Sequence, residues 1–400
     1  MTNVTNEPGR GTAVFYPPLT VGSQSKSRYD RFMILLRVLI FMAGLLLAAY
    51  TFLSATRTFV LPRSASVKLT HLVFMTVGRV FKLMMKGLPT YEQRDELMAL
   101  YAPMSLLLLV PAWLFLTCVG FAAMFWAMGV TPWQDAFLLS GSSILTLGFA
   151  TADSLPQTIL AFVEATAGLI LVAMLISYLP TMYTAFSQRE EAVSLLEVRA
   201  GAPPTAPELV WRLHGLGNLQ SSQNFWDYWE HWFTQIDESH TSLAALVFFR
   251  SPQAHQSWVV AAGAVLDGAA LFLSAVVRPE DDPPSQALVI RAGNVALRHI
   301  ADAFQVPYNA DPHFPQDPIS VTQAEFNEAY DRLVSQGVPM QPDREAAWRH
   351  FAGWRVNYDS VLVALARLTM APETSWLSDF TFVPAVTEMG QTSGRLQKVR

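Results

Sequence analysis

Long apolar runs, rather than alternating positions, dominate the first half of the chain. Val38 to Thr56 is a run of 19 uncharged, mostly apolar residues, close to the ~20 that an α-helix needs to cross about 30 Å of hydrocarbon. It predicts a first membrane helix within residues 32–56. A secretory signal peptide is the competing reading, but its apolar core would be shorter and a small-residue cleavage site would follow. A second uncharged run covers 97–134, and a third, interrupted only by Glu164, covers 154–188. Between them, Thr131-Pro132-Trp133-Gln134-Asp135 reads as a helix start, with Thr131 as N-cap and Pro132 at the first helical position. The helix it opens runs to about Ile144 and is too short to span.

The segment 57–96 has a different pattern. Lys68, His71, Arg79, Lys82 and Lys86 fall on one narrow stripe at 100° per residue, and Leu69, Val73, Val77, Val80, Phe81 and Met84 fill the opposite face. Such a helix lies in the headgroup plane with its cations toward anionic lipid; a polar-striped helix that crosses the membrane is the alternative. Beyond residue 188 the pattern becomes amphipathic, with helical periodicity at 206–216, 223–251, 254–277, 285–304, 321–336 and 343–370. Pro-rich breaks at 203–204, 279–284, 312–318 and 339–342 separate these runs. Residues 1–31 and 386–400 have no periodicity and read as disordered tails. The expected organisation is therefore a tail (1–31), a first membrane helix (32–56), a basic interfacial helix with linker (57–96), a pair of crossings around a short helix (97–188), a helical domain (189–385) and a second tail (386–400).

Charge sharpens this division. Of 400 residues 52% are hydrophobic and 15% charged, against roughly 25% charged in ordinary soluble domains. Residues 1–94 carry 12 basic and 3 acidic side chains, 95–188 none and 5, and 189–400 15 and 24. A 94-residue stretch without Lys or Arg suits a bilayer. The acidic final zone argues against nucleic acid as a partner. A single cysteine, Cys118, excludes an intrachain disulfide.

The segment most informative about chemistry is Phe137-Leu-Leu-Ser-Gly-Ser-Ser-Ile-Leu-Thr-Leu-Gly-Phe-Ala-Thr151. With its short helix and two flanking crossings, it resembles the pore loop of the potassium channel superfamily, whose filter reads Thr-Val-Gly-Tyr/Phe-Gly. Thr146-Leu147-Gly148-Phe149-Ala150 agrees at Thr, Gly and the aromatic, with Leu for Val and Ala for the second Gly. Arg199–Leu209 and Arg250–Trp258 are also similar to stretches in predicted prokaryotic potassium-channel-family membrane proteins, so that the similarity covers roughly 55–300.

The resemblance implies an all-α membrane protein with tetrameric pore-loop cation channel architecture, an extra N-terminal membrane helix and a helical cytoplasmic domain. Backbone carbonyls from four chains replace the water shell of a dehydrated K⁺, the only metal such a site holds. Thr146 supplies hydroxyl and carbonyl at the inner end, and Leu147, Gly148 and Phe149 supply further carbonyls. Directing successive carbonyls to one side needs alternating backbone signs; Gly148 meets this, whereas at Ala150 a left-handed conformation costs about 1–2 kcal/mol. The expectation is a K⁺-permeable pore of weakened selectivity, against a re-entrant hairpin that only packs helices.

Thr151 and Asp153 fall at the pore mouth. Asp153 gives either an outer ring of negative charge or an N-cap for the next helix. Glu164-Ala-Thr-Ala-Gly168 resembles the inner helix of related channels; Gly168 is either a hinge or a close-packing site, and Glu164 either braces the loop from behind, lines the cavity below it, or is a bland buried acid. The absence of Lys and Arg over 129–155, between Arg94 and Arg189, points the mouth outward with the helical domain cytoplasmic, in what the resemblance implies is a prokaryotic plasma membrane; the N-terminus is outside if 66–86 lies on the membrane and inside if it crosses.

In the helical domain no Gly-x-Gly-x-x-Gly or phosphate loop follows a strand-like run, and His231, His299, His313 and His350 lack metal-ligand spacing. No cofactor and no catalytic constellation is expected. If 223–251 and 254–277 form a hairpin, Glu238, His240, Arg250, His255, Trp258 and Asp267 converge, as a regulatory pocket for an unidentified gating ligand or as a network joining two helices. Asp227, Trp229 and Trp232 read as the edge of an aromatic core face. The rival to a conducting homotetramer is a non-conducting membrane sensor or scaffold.

Overall fold

A computed structural model of the chain describes residues 22–59, 68–215, 219–277, 285–372 and 376. Residues 1–21 of the tail expected over 1–31, the tail expected over 386–400, the break at 279–284 and residues 377–385 lie outside the described residues. Among the described residues the fold is all-helical, with one isolated antiparallel bridge between Val276 and Met340. In chain order the helices are α1 (Gly22–Phe59), α2 (Lys68–Met85), α3 (Tyr91–Ala99), α4 (Tyr101–Ala127), α5 (Trp133–Ile144), α6 (Leu155–Ala200) and α7 (Ala206–Gly215). There follow α8 (Leu219–Ser242), a 3₁₀ turn at Ala244–Phe248, α9 (Trp258–Ala275), α10 (Ser285–Ala303), α11 (Gln323–Ser335), α12 (Arg344–Arg355) and α13 (Asp359–Thr369).

The described segments Arg31–Phe59, Tyr91–Ala127, Leu155–Ala200 and Trp258–Ala275 are each long and apolar enough to cross a membrane. The first three expose large side chains such as Leu46, Phe115, Phe162 and Ile176, a surface that water does not tolerate and lipid or a neighbouring subunit does. The fourth was expected as an amphipathic helix of the helical domain. Its apolar window is 83% buried inside the protein, which makes α9 the core helix of that domain; buried on all sides, it loses the polar face an amphipathic pattern would show.

Several expected boundaries shift. Helix α1 begins at Gly22, inside the expected tail, because 22–31 contains Gln, Lys and Arg but no Pro to stop a helix. Segment 57–96 holds two helices rather than one, and Thr90 caps α3 by accepting from the Gln93 N–H. Periodic runs at 223–251 and 343–370 each break once, after Ser242 and at Val356–Tyr358. Thr131 is not the N-cap of α5. Pro132 holds that position with extended backbone, and no side chain caps the helix.

The chain divides into two compact units. The first comprises the described part of residues 1–52 together with 114–169. Here α1 and α4 touch through glycine: a Cβ on Gly44 would lie 2.4 Å from the carbonyl oxygen of Gly120. Such small-residue crossings let helix backbones meet in lipid. Ala48, Phe121, Met124 and Phe125 close over Ala136 and Leu139 of α5.

The second unit comprises 53–113 and 170–400. Helix α9 is its centre, contacted by α7, α10, α12 and α13, and α8 lies on α10. Trp226, Trp229, Trp232 and Phe233 of α8 are fully buried, whereas Asp227 is exposed. The last turns of α6 belong to this core through Ala192, Val193, Leu196 and Ala200. Helix α6 therefore does not stop at the charged Arg189-Glu190-Glu191 triplet; it is one helix of 46 residues with Pro180 inside.

A charged network sits within this core. Arg355 donates to Asp359 Oδ1 at 2.8 Å and pairs with Asp267. Tyr358 and Trp376 donate to Asp267 at 2.9 and 3.0 Å, and Ser320 Oγ donates to Asp359 at 2.7 Å. Burial by itself lowers the Arg355 pKa, but the two carboxylates outweigh it and hold the guanidinium firmly charged. Replacing Arg355 with Met leaves both carboxylates buried without their cation, and is expected to cost about 3–5 kcal/mol. Tyr358→Phe, which removes one of four donors, is expected to cost about 1–3 kcal/mol. Denaturant titration of the purified full-length protein, followed by tryptophan emission, checks both.

Candidate functional site

Helix α5 ends at Ile144, and the chain leaves helical geometry until Leu155. The backbone signs alternate where the loop begins: Thr146 has φ +55° and Gly148 φ +71°, whereas Leu147 and Ala150 are not left-handed. A positive φ on a β-branched residue is an outlier that needs support from its surroundings. That support is Ser142. Its carbonyl accepts from the N–H of Leu147 at 2.8 Å and of Gly148 at 3.4 Å, and its hydroxyl accepts from the Ala150 N–H at 3.0 Å. The Thr146 N–H donates to Ser143 O at 3.0 Å.

The amides of the loop thus turn back onto the end of α5. The carbonyls of Thr146, Leu147, Gly148 and Phe149 accept no hydrogen bond from the described residues, and these four residues are exposed. Four exposed carbonyl oxygens in sequence, with the amides of Thr146, Leu147 and Gly148 occupied, are available as oxygen donors without anionic charge.

Helix α5 is braced from behind. Glu164 is fully buried, and one carboxyl oxygen accepts from Ser140 of α5. The Ser140 hydroxyl also lies 2.8 Å from the Cys118 carbonyl of α4, and Ser143 Oγ donates to Ala161 O at 2.7 Å. Glu164 therefore stands behind the loop, on its supporting helix. Gly168 is a close-packing position: a Cβ there would lie 2.5 Å from the Ile144 carbonyl oxygen. Just past the loop Thr151 and Asp153 are exposed. The turn into α6 is closed by Gln157, whose side chain accepts from the N–H of Asp153 at 3.2 Å and of Ser154 at 3.3 Å, leaving no capping bond to the Asp153 carboxylate.

Sequence reasoning missed Ser140, Ser142, Ser143 and Gln157. A Ser-Gly-Ser-Ser run in a membrane-depth helix was the available signal, since polar side chains there must find partners.

Lys68, His71, Arg79 and Lys82 are exposed along α2, and Lys86 lies just beyond its end at Met85. On the opposite face Val77 is buried and Leu69, Val73 and Phe81 are half-buried, but Val80 and Met84 are exposed.

The six residues expected to converge in the helical domain are dispersed, because α8 packs on α10 and not as a hairpin on α9. Only His240 and Trp258 touch, with ring centroids 4.6 Å apart. His255 lies 3.3 Å from Glu197, Glu238 is exposed, and Asp267 belongs to the Arg355 network. Arg250 pairs with Asp95 of α3 and donates to the carbonyls of Thr369 and Met370 at 3.0 and 2.8 Å. Arg250 and Asp267 do share the walls of one cleft of ≈ 1340 Å³. Among the described residues no three His, Cys, Asp or Glu side chains group to hold a metal ion.

Compared with protein-family models, curated proteins and solved structures, the chain matches none of them.

Two variants probe these packings. Gly168→Val forces a side chain against the Ile144 carbonyl and is expected to lower stability in detergent by roughly 1–3 kcal/mol, as overpacking does. His240 is a pH reporter. Burial first, then the guanidinium of Arg189 at 3.5 Å, holds its pKa well below the usual histidine value. The folded form binds fewer protons than the unfolded chain below about pH 6.5, so stability present above that pH is lost on acidification at about 1.4 kcal/mol per unit. Melting measured from pH 7 to pH 5 should fall less steeply in His240→Phe than in the native protein.

Proposed function

We propose that the chain is one subunit of a homotetrameric, K⁺-permeable cation channel in a prokaryotic plasma membrane. The observation that carries this reading is the loop after α5, whose amides bond back to Ser142 and Ser143 while the carbonyls of Thr146 to Phe149 remain without partners. One chain offers a quarter of a coordination ring, and four loops around an axis complete it. The left-handed residues at 146 and 148 support the reading, since alternating signs bring successive carbonyls to one side.

At Ala150 the alternation stops. The Ala150 carbonyl instead lies 3.4 Å from the Ser142 hydroxyl, so the outermost ring is the weakest and K⁺ is discriminated from Na⁺ less sharply than by a filter with glycine there. Asp153, exposed at the mouth, raises the local concentration of cations. Ions flow down their gradient, and the helical domain sets the inner end of the path through α6, which continues unbroken into that domain's core. A non-conducting sensor or scaffold is the outcome against which this reading is measured.

Flux from liposomes with K⁺ inside and either Na⁺ or an impermeant cation outside tests it. The native protein should pass K⁺ and admit Na⁺, and Ala150→Gly should raise the K⁺:Na⁺ ratio. Gly148→Ala should abolish flux, because a left-handed alanine costs about 1–2 kcal/mol in each of four chains. A native ratio already as high as a filter with both glycines gives would overturn the weakened selectivity. A protein that is not tetrameric and passes no ion in any form would establish the scaffold.

A further inference from the structure

Within the second unit, α2, the start of α4 and the 3₁₀ turn line a cavity of ≈ 480 Å³, within the size range of small-molecule sites. Its wall is aromatic. Phe74 and Tyr101 stand 6.1 Å apart, Tyr101 and Phe248 5.8 Å, and Phe248 and Phe304 5.4 Å, and the Tyr101 hydroxyl is occupied in donating to the Phe74 carbonyl at 3.2 Å. Gly78 faces the Tyr101 ring.

The rim carries one sign of charge. His71, Arg79 and Lys82 border the cavity, and no Asp or Glu does. All three come from the basic first zone of the chain, residues 1–94, with 12 basic and 3 acidic side chains. The fourth cation at the cavity, Arg250, already pairs with Asp95. His71, Arg79 and Lys82 have no ion-pair partner among the described residues; Arg79 reaches only the sulfur of Met75, at 3.8 Å. Cations without counter-charge at the entrance of an aromatic and aliphatic cavity match a ligand with an apolar chain and an anionic head.

We propose that this cavity binds one amphiphilic anion, with its acyl chain against Phe74, Tyr101 and Phe248 and its carboxylate or phosphate head held by Arg79, Lys82 and His71. The site is a cavity with aromatic walls, distinct from general attraction of a basic stripe to a charged surface, and it stands whether or not the loop after α5 conducts. The same head-and-tail chemistry comes from two sources, a free long-chain fatty acid or an anionic phospholipid of the bilayer.

The test uses the full-length protein in discs of phosphatidylcholine. Two probes with a photoreactive group near the end of an acyl chain are compared, a palmitate and a phosphatidylglycerol, and the labelled peptides are identified by mass spectrometry. At least one probe should label peptides from 68–85 or the turn at 244–248, and the one that does identifies the source. The matching probe without net charge, a fatty alcohol or the zwitterionic phosphatidylcholine, should label them at least tenfold less. Arg79→Glu combined with Lys82→Glu should reduce labelling about tenfold. Met75→Trp, which fills the cavity and retains the cations, should do the same with the helical circular dichroism unchanged. Labelling by neither anionic probe, equal labelling by the probe without net charge, or labelling that survives both the charge reversal and the filled cavity would each overturn the proposal.

Discussion

A chain that leaves helical geometry between two apolar helices must find partners for its amide groups, because hydrocarbon offers none. Ser142 meets most of that need here. One residue accepts three backbone donors, two through its carbonyl and one through its hydroxyl. This sorts the peptide groups by polarity: the donors turn inward to α5 and the acceptors turn away from it. The left-handed conformations at Thr146 and Gly148 follow from that sorting, since a chain with like signs at successive residues would send alternate carbonyls back toward the helix.

The bracing behind the loop follows from the same constraint. Ser140 and Glu164 are buried and Ser143 is half-buried among apolar helices, and each finds a partner across an interface, with Cys118, Ala161 or one another. These bonds set the position of α5, and Gly168 lets α6 approach the Ile144 carbonyl closely enough to form them. A larger residue at 168 therefore acts on the loop without touching it.

The helix pattern was legible where composition dictates structure. The three apolar runs, the short helix ending at Ile144 and most of the amphipathic helices from 206 to 370 recur as helices, although α1 begins ten residues before its expected limit and α6 runs twelve residues past its own. Less legible were features decided by partners. The charged triplet at Arg189 looked like the end of a membrane helix, but the Arg189 guanidinium is buried, donating to the carbonyls of Leu246 and Phe249 at 2.9 and 2.7 Å. Charge along a helix signals water only when no carbonyl is at hand. For the same reason the six candidate residues of the helical domain could not be gathered by spacing: α10 is the neighbour of both α8 and α9, and no local pattern in either helix names it. Ser142 was hidden differently, because its importance lies in loop amides that a helix-level reading does not count.

Arg189 also shows how one residue can carry both stability and coupling. It lies on α6 within the charged triplet, ion-paired with Glu190 and bonded to the 3₁₀ turn, with His240 at 3.5 Å. The adjacent turns of α6 are core residues of the helical domain. A rotation of α6 about its axis would therefore break two charge-assisted bonds in a buried setting, where each costs more than at a surface. The helix and its domain accordingly turn together. Any ligand that shifts the packing around the 3₁₀ turn acts on α6 through the Leu246 and Phe249 carbonyls, and the aromatic cavity beside Phe248 shares that turn. An occupant there would act on the residue next to the Arg189 anchor without requiring a separate relay.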